Sequence, residues 1–125
     1  WDGETDFFGR AAQAEEHAGA FFLIWSLWRV AREPVLIALT VGESARKMEA
    51  WSDDRVVASL LAALRLIFPD APVPSASHVT RWMNDPLALG AYSFMLAGSR
   101  GGVDYDVAAA PLGSQVLFAG EGTCR

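Results

Sequence analysis

Residues 21–68 decide the order of elements in this chain, and they read FFLIWSLWRVAREPVLIALTVGESARKMEAWSDDRVVASLLAALRLIF. The stretch opens with two apolar runs, residues 21–25 and residues 35–41, and the second run follows Pro34. Runs this apolar are typical of strands that are covered on two faces rather than strands on an open surface. The sequence therefore predicts two buried strands in the first half of the chain.

Two helices are predicted after these strands. The first covers residues 44–50. The second begins at Ser52, an N-cap residue, and the acids at 53–54 suit the positive end of a helix. Its apolar side chains recur at three- and four-residue steps: Val56, Val57, Leu60, Leu61, Leu64, Ile67 and Phe68. Pro69 then prevents the helix from continuing.

Three further segments have strand character. Residues 115–119 form an apolar run that ends at a glycine, residues 78–82 precede the turn signal Asn-Asp-Pro at 84–86, and residues 6–8 could form a short strand. Strands first, then helices, then strands again are typical of an α+β fold rather than an alternating βα fold.

The composition indicates one globular domain or part of one. The chain has 125 residues, of which 52% are hydrophobic and 20% are charged, and its formal net charge is −5. This charge argues against binding of nucleic acid through phosphate neutralisation, and it favours a cationic partner. The single cysteine, Cys124, excludes a disulfide framework and a cysteine-built zinc site, and His17 and His78 lack metal-ligand spacing.

Neither a membrane span nor a signal peptide is predicted. The most apolar stretch, residues 20–31, is interrupted by Ser26 and Arg29 and falls short of the roughly 20 residues that a span needs. The first four residues lack the basic start of a signal peptide, and there is no initiating methionine. We expect the chain to be a piece of a larger protein.

The common catalytic motifs are missing from the sequence. The glycine cluster at residues 98–102 lacks the spacing of a dinucleotide-binding loop, and we expect a flexible surface loop with no amphipathic helix after it. Asp104 and Asp106 flank Tyr105, which would place both acids on one face of an extended segment. A solvated face is favoured over a catalytic pair of carboxylates.

The aromatic residues are more distinctive. The chain has five tryptophans; Trp82 directly precedes the predicted turn, and Tyr92 follows that turn. Tryptophans at strand ends either bind a planar ligand or a cation or simply pack in the core, and composition favours packing for most of them. Glu121, just past the strand predicted at residues 115–119, either binds a ribose or phosphate-linked hydroxyl or caps a following helix.

Taken in order, several short blocks resemble the second half of the flavin-dependent amine oxidases. They are FLIW at 22–25, VLIAL at 35–39, GESA at 42–45, SDD at 52–54, VTRW at 79–82, DP at 85–86, GAYS at 90–93, YD at 105–106 and LFAGEGT at 117–123. The resemblance runs through essentially the whole chain. It is strongest to the branch of lysine-specific histone demethylases, with polyamine oxidases next.

The resemblance implies an FAD-dependent protein of two lobes, in which a mixed sheet flanked by helices forms the substrate-binding lobe. Residues 1–114 would belong to that lobe, and residues 115–125 would be the strand and turn that return to the FAD-binding lobe. The family's nucleotide-binding glycine motif and its lysine near the flavin would precede Trp1. No catalytic residue and no metal are therefore expected in this chain, and the chain alone is expected to be inactive.

The resemblance also implies roles for five residues. Trp82 is similar to the tryptophan that packs beside the isoalloxazine of FAD, and Gly120 and Glu121 are similar to the turn that contacts this cofactor. Tyr92 resembles the aromatic-cage residue that faces the substrate amine, and Trp25 resembles a tryptophan that lines the substrate cavity.

The implied reaction is oxidation of a C–N bond of a secondary or tertiary amine, with a methylated lysine of a histone-like peptide as the first candidate. The product is an imine, which water hydrolyses to an aldehyde, and hydrogen peroxide is formed. Leu87 stands where the demethylase branch often has a second tryptophan, which indicates a more open cage. A polyamine oxidase and a non-catalytic module for cationic peptides are the alternatives, and a nuclear location follows only from the demethylase resemblance.

Overall fold

The computed structural model describes residues 4–12, 14 and 18–124. The elements are three strands, β1 (Phe7–Gly9), β2 (Leu23–Ser26) and β3 (Leu36–Leu39), four helices, α1 (Trp28–Ala31), α2 (Gly42–Glu49), α3 (Asp53–Arg65) and α4 (Gly102–Ala109), and the 3₁₀ helix Glu121–Thr123. The contacts divide the chain into a first unit that ends at Arg81 and a second unit that begins at Trp82.

The first unit is built on a three-stranded sheet in the order β1-β2-β3. Both strand pairs are antiparallel. The α+β class agrees with this arrangement, but the described sheet is not the mixed sheet that we expected. The predicted strands at residues 6–8, 21–25 and 35–41 are confirmed with shifted or shorter bounds.

The two faces of this sheet differ in burial. Ile24, which pairs with Phe8 and Ala38, is only 1% exposed. Trp25 pairs with Phe7 and Ile37, and these two partners are 62% and 44% exposed. Because successive side chains of a strand point to opposite faces, Ile24 marks the core face and Trp25 marks the open face.

The core of the first unit joins the sheet to α2 and α3. Its buried residues are Ala20, Phe21, Met48, Val56 and Ala63, and partly buried Ala38, Trp51, Leu60 and Val79 pack against them. The Phe8 ring also meets the Phe68 ring edge-on, with 5.2 Å between centroids. The predicted apolar face of the second helix is therefore the face that closes the core.

Both helices predicted from residues 44–68 are confirmed. α2 begins two residues earlier than expected, and its buried Ser44 hydroxyl donates to the Ala18 carbonyl at 2.9 Å. The Ser52 hydroxyl caps α3 by accepting the Arg55 N–H at 3.3 Å. The helix ends at Arg65, and the N–H groups of Ile67 and Phe68 still donate to the Leu64 carbonyl in the turn before Pro69.

The backbone at Gly19 lies close to the backbone at Val41. The Val41 N–H donates to the Gly19 carbonyl at 3.0 Å, and Gly19 has a φ of +82°. A Cβ at this position would lie 2.7 Å from the Val41 carbonyl oxygen. Only glycine satisfies both the backbone conformation and this contact.

The second unit differs from the sequence predictions. The strand predicted at residues 115–119 is wrong: the described structure there is one isolated antiparallel bridge, Leu112 to Val116. The strand predicted at residues 78–82, at the junction of the units, is also wrong, because residues 78–80 have no regular structure and Trp82 begins a turn. An extended apolar segment becomes a strand only when a neighbouring strand completes its hydrogen bonds, and no such neighbour exists in the described ranges.

Helix α4 begins at Gly102, the last glycine of the cluster, but it has no buried residue and is therefore not the amphipathic helix whose absence was expected. Asp104 and Asp106 therefore do not share one face of an extended segment, because residues two apart on a helix point in nearly opposite directions. Asp104 accepts from the N–H and the Nε of Arg100, both at 2.9 Å. These contacts join the glycine cluster to the first turn of α4.

The one-turn helix α1 was not predicted. It ends at Arg32, whose φ is +57°. No helix in the described ranges combines the length and apolar character needed to cross a bilayer.

Candidate functional site

The turn that carries Glu121 is fixed by its own backbone. Gly120, with a φ of +133°, precedes the 3₁₀ helix Glu121–Thr123. The Gly120 carbonyl accepts the Thr123 N–H at 3.1 Å and the Thr123 hydroxyl at 2.8 Å. Because Thr123 donates both bonds to the same carbonyl, the backbone of the turn at Glu121 has a defined conformation.

The Glu121 carboxylate is bound by Ser93, which lies 28 residues earlier in the sequence. Oε2 of Glu121 accepts the Ser93 N–H at 2.9 Å and the Ser93 hydroxyl at 2.7 Å. The Ser93 hydroxyl, and after it the Ser93 N–H, lower the pKa of Glu121 below its ordinary value of 4.5. The two bonds from Ser93 therefore favour the ionised form of the carboxylate.

The backbone around the Ser93–Glu121 pair leaves little space. A Cβ at Gly122 would lie 3.0 Å from the Ser93 hydroxyl oxygen. Helix α4 lies against the 3₁₀ helix on which Glu121 stands. The pair is thus confined by the turn that follows it and supported by α4.

The two predicted aromatic site residues that lie in the second unit present open ring surfaces. Trp82 is 50% exposed and Tyr92 is 54% exposed. Tyr92 precedes Ser93, so the structure brings it next to the Glu121 turn. No hydrogen bond or ring stacking joins Trp82 to Tyr92 or Glu121 within the described ranges.

The turn predicted between these aromatics is present. The Asp85 carboxylate accepts the Leu87 N–H at 2.8 Å and the Ala88 N–H at 3.2 Å. The Leu87 side chain, at the position where an aromatic residue was considered, is 97% exposed.

Trp25 lies in the first unit, on the open face of the sheet. It lines an open concavity of about 610 Å³ together with Asp6, Ser26, Leu27, Arg29, Val30 and Ile37. Arg29 donates to the Asp6 carboxylate at 3.0 Å at this place. The concavity thus combines aromatic and aliphatic side chains with one ion pair.

Residue Arg81 ties the end of the first unit to α3. Its Nη2 donates to the Trp51 carbonyl at 3.0 Å and to the Asp53 carboxylate at 2.6 Å. The Arg55 guanidinium lies over the Trp51 ring, 4.1 Å from its centroid. These contacts therefore hold Arg81, the last residue of the first unit, against the start of α3.

Sequence reasoning missed the roles of Ser93, Arg81 and Asp6. Ser93 and Arg81 both lie inside blocks that carry the family resemblance, and this was the available signal. Nothing local to Ser93 indicates that its partner is Glu121, because the two are 28 residues apart.

The described ranges contain no group of three or more His, Cys, Asp or Glu side chains that could hold a metal ion. His17 lies outside the described residues. Cys124 is exposed at the end of the Glu121 turn.

The profile of the family described as "Flavin containing amine oxidoreductase" matches residues 11–125. The chain therefore belongs to the flavin-containing amine oxidoreductase family. The five residues singled out from the resemblance keep the status of predicted site residues.

The curated relatives carry more particular names. The chain is 39% identical over 127 residues to lysine-specific histone demethylase 1 homolog 3 of Arabidopsis thaliana and 40% identical over 129 residues to lysine-specific histone demethylase 1 homolog 1 of Oryza sativa subsp. japonica. It is 36% identical over 137 residues to histone demethylase-like protein A of Aspergillus fumigatus. These matches cover 100%, 100% and 99% of this chain but only 8%, 15% and 12% of the relatives.

Proposed function

We propose that the complete protein is an FAD-dependent amine oxidase that acts on a methylated lysine of a histone-like peptide. The observation that carries the proposal is the family match across residues 11–125. It is supported by relatives that are named histone demethylases and that match over the full length of this chain. The reaction would convert the amine to an imine and, with water, to an aldehyde, while oxygen is reduced to hydrogen peroxide. A nuclear location is part of the proposal.

The second unit offers groups that fit a flavin. The indole of Trp82 is half exposed and can lie against a planar ring system. A Cβ at Gly120 would meet nothing within 4 Å, so a ligand can approach this backbone closely. Glu121 is ionised and can accept a hydrogen bond from a ligand hydroxyl. FAD, when bound, supplies the electron-accepting chemistry for the amine.

The residues of this chain would bind and orient. Trp82 would hold the isoalloxazine, and Gly120 and Glu121 would contact the cofactor. Tyr92 would face the amine, since an electron-rich ring can hold a cationic group before it loses its proton. Trp25 would form an apolar wall of the substrate cavity. The formal net charge of −5 suits a cationic peptide.

A second candidate is favoured by Leu87. An almost fully exposed leucine in place of an aromatic residue leaves the cage more open. Such a site would accept polyamines, or it would hold a cationic peptide without oxidising it.

Trp82→Ala in the complete protein tests the proposal. We expect about tenfold weaker FAD binding or amine turnover, because a stacked aromatic contact is lost. Trp28→Ala is the matched control, since Trp28 is a partly exposed tryptophan of the first unit that lies outside the predicted site. Bound flavin is measured by absorbance and turnover by peroxide release from a dimethyl-lysine histone-tail peptide.

The same assay separates the candidates. Unchanged flavin content and rate in Trp82→Ala would contradict the proposed role of Trp82. Spermine outcompeting the methylated peptide would favour a polyamine oxidase. Binding of the peptide by the flavin-loaded protein without any peroxide would favour the binding module.

A further inference from the structure

Ser93 makes an unusual pair of contacts for an exposed serine. Its N–H and its hydroxyl both donate to the same oxygen, Oε2 of Glu121, at 2.9 and 2.7 Å. Oε1 of Glu121 accepts no hydrogen bond from any residue in the described ranges. Within the described ranges, the contacts with Ser93 therefore use one of the two carboxylate oxygens.

The surroundings restrict both partners of this pair. The Glu121 backbone is held by the two bonds from Thr123 to the Gly120 carbonyl. On the other side, Gly122 approaches Ser93 so closely that a Cβ there would stand 3.0 Å from the hydroxyl oxygen. The two donors at Oε2 favour the side-chain torsions of Glu121 that keep both hydrogen bonds.

We propose that Ser93 is a positioning residue that fixes the orientation of the Glu121 carboxylate in the turn that would contact FAD, and that holds Tyr92 beside the same turn. This inference rests on the proposed function. The two hydrogen bonds stabilise the charged form of the carboxylate. Because Tyr92 and Ser93 are joined by a peptide bond, the pair links the residue that would face the amine to the turn that would contact FAD.

The test uses four variants of the complete protein: Ser93→Ala, Ser93→Thr, Glu121→Ala and the double variant Ser93→Ala/Glu121→Ala. Ser93→Thr keeps the hydroxyl donor. Ser99→Ala is the matched control, because Ser99 is an exposed serine of the same unit whose hydroxyl contacts Met95 instead of Glu121. Circular dichroism first establishes that each variant is folded.

The first readout needs no flavin. Hydrogen exchange of the flavin-free protein measures protection of the Ser93 amide, whose acceptor is Glu121. We expect Glu121→Ala to reduce this protection by about tenfold and Ser99→Ala to leave it unchanged. Equal protection in wild type and Glu121→Ala would show that the Ser93 amide is not bound by the Glu121 carboxylate, and this would overturn the proposal.

The second readout is the dissociation constant of FAD as a function of pH. We expect Ser93→Ala to weaken FAD binding by about threefold to tenfold at neutral pH, and Ser93→Thr to restore it. Without the hydroxyl donor the pKa of Glu121 rises toward its ordinary value, so the loss of FAD binding on acidification moves to higher pH. The double variant should bind FAD no more weakly than Glu121→Ala.

The outcomes distinguish a failure of the Ser93 role from a failure of the proposed function. If wild type binds FAD and Ser93→Ala has the same affinity and the same pH profile, the role of Ser93 is overturned and the proposed function stands. Additive effects of Ser93→Ala and Glu121→Ala lead to the same conclusion. A wild-type protein that binds no FAD overturns the proposed function, and the role of Ser93 with it.

Discussion

The two units of this chain hold their structure by different means. In the first unit, Ile24 is buried in the sheet, and buried Phe21 packs in one core with Met48 of α2 and Val56 of α3. In the second unit, every residue from 82 to 124 is at least partly exposed. Its side-chain hydrogen bonds include those that the carboxylates of Asp85, Asp104 and Glu121 accept.

This difference matters because the predicted site residues fall in both units. Trp25 belongs to the first unit, whereas Trp82, Tyr92, Gly120 and Glu121 belong to the second. A core is sensitive to changes of volume, whereas a surface held by hydrogen bonds is sensitive to changes of charge and of single polar atoms. The two units should therefore respond to different perturbations.

The largest expected effect comes from truncating the first unit's core. Ile24→Ala removes a side chain that is 1% exposed, and we expect it to lower the free energy of unfolding by about 2–5 kcal/mol. Val30→Ala is the control, since Val30 is 87% exposed and should change it by less than about 0.5 kcal/mol. Urea denaturation of the complete protein gives both values. Similar values for the two variants would break the distinction between core and surface in this unit.

A smaller effect compares one glycine from each unit. Gly19 and Gly98 have φ values of +82° and +88°, so alanine is strained at both positions. Only Gly19 also lacks space, because a Cβ would lie 2.7 Å from the Val41 carbonyl oxygen, whereas at Gly98 it meets nothing within 4 Å. We expect a loss of about 1 kcal/mol for Gly98→Ala and about 2–3 kcal/mol for Gly19→Ala, measured by thermal unfolding. Equal losses would mean that the Gly19 neighbourhood relaxes freely.

The smallest effect is a response to pH that the Ser93 amide of the second unit should show. Because the pKa of folded Glu121 is lowered, the protection that Glu121 gives the Ser93 amide is complete above pH 4.5 and is lost as the pH falls through that lowered pKa. The Ser26 amide, which donates to the backbone carbonyl of Asp6 at 2.8 Å, should keep its protection over the same range. Hydrogen exchange, corrected for the intrinsic rate at each pH, measures both. A parallel loss at Ser26 would show general acid unfolding instead.

The sequence was sufficient where the signals are local. The start of α3 was predictable because Ser52 caps it and acids follow, and its buried face was predictable from the three- and four-residue spacing. Trp25 lies on a strand, as expected, but its place on the open face depends on the register with Phe7 and Ile37. Register is set by pairing between strands, which a single run does not reveal.

The sequence failed where structure depends on distant partners. Residues 115–119 have the composition of a strand, but no neighbouring strand in the described ranges completes their hydrogen bonds. Helix α4 was missed because its apolar residues Val103 and Val107 are exposed instead of marking a buried face. The residues of the candidate site were named from family resemblance, and the bonds between Ser93 and Glu121 became visible only in the structure.

The two hydrogen bonds between Ser93 and Glu121 close the same loop of the chain. Bringing residues 28 apart in sequence together costs conformational entropy, and this cost arises once, although two hydrogen bonds form. After the first bond has formed, the second donor is already within reach, as in a chelate. The two hydrogen bonds should therefore form and break together. A long-lived intermediate in which only one of them is formed is not expected.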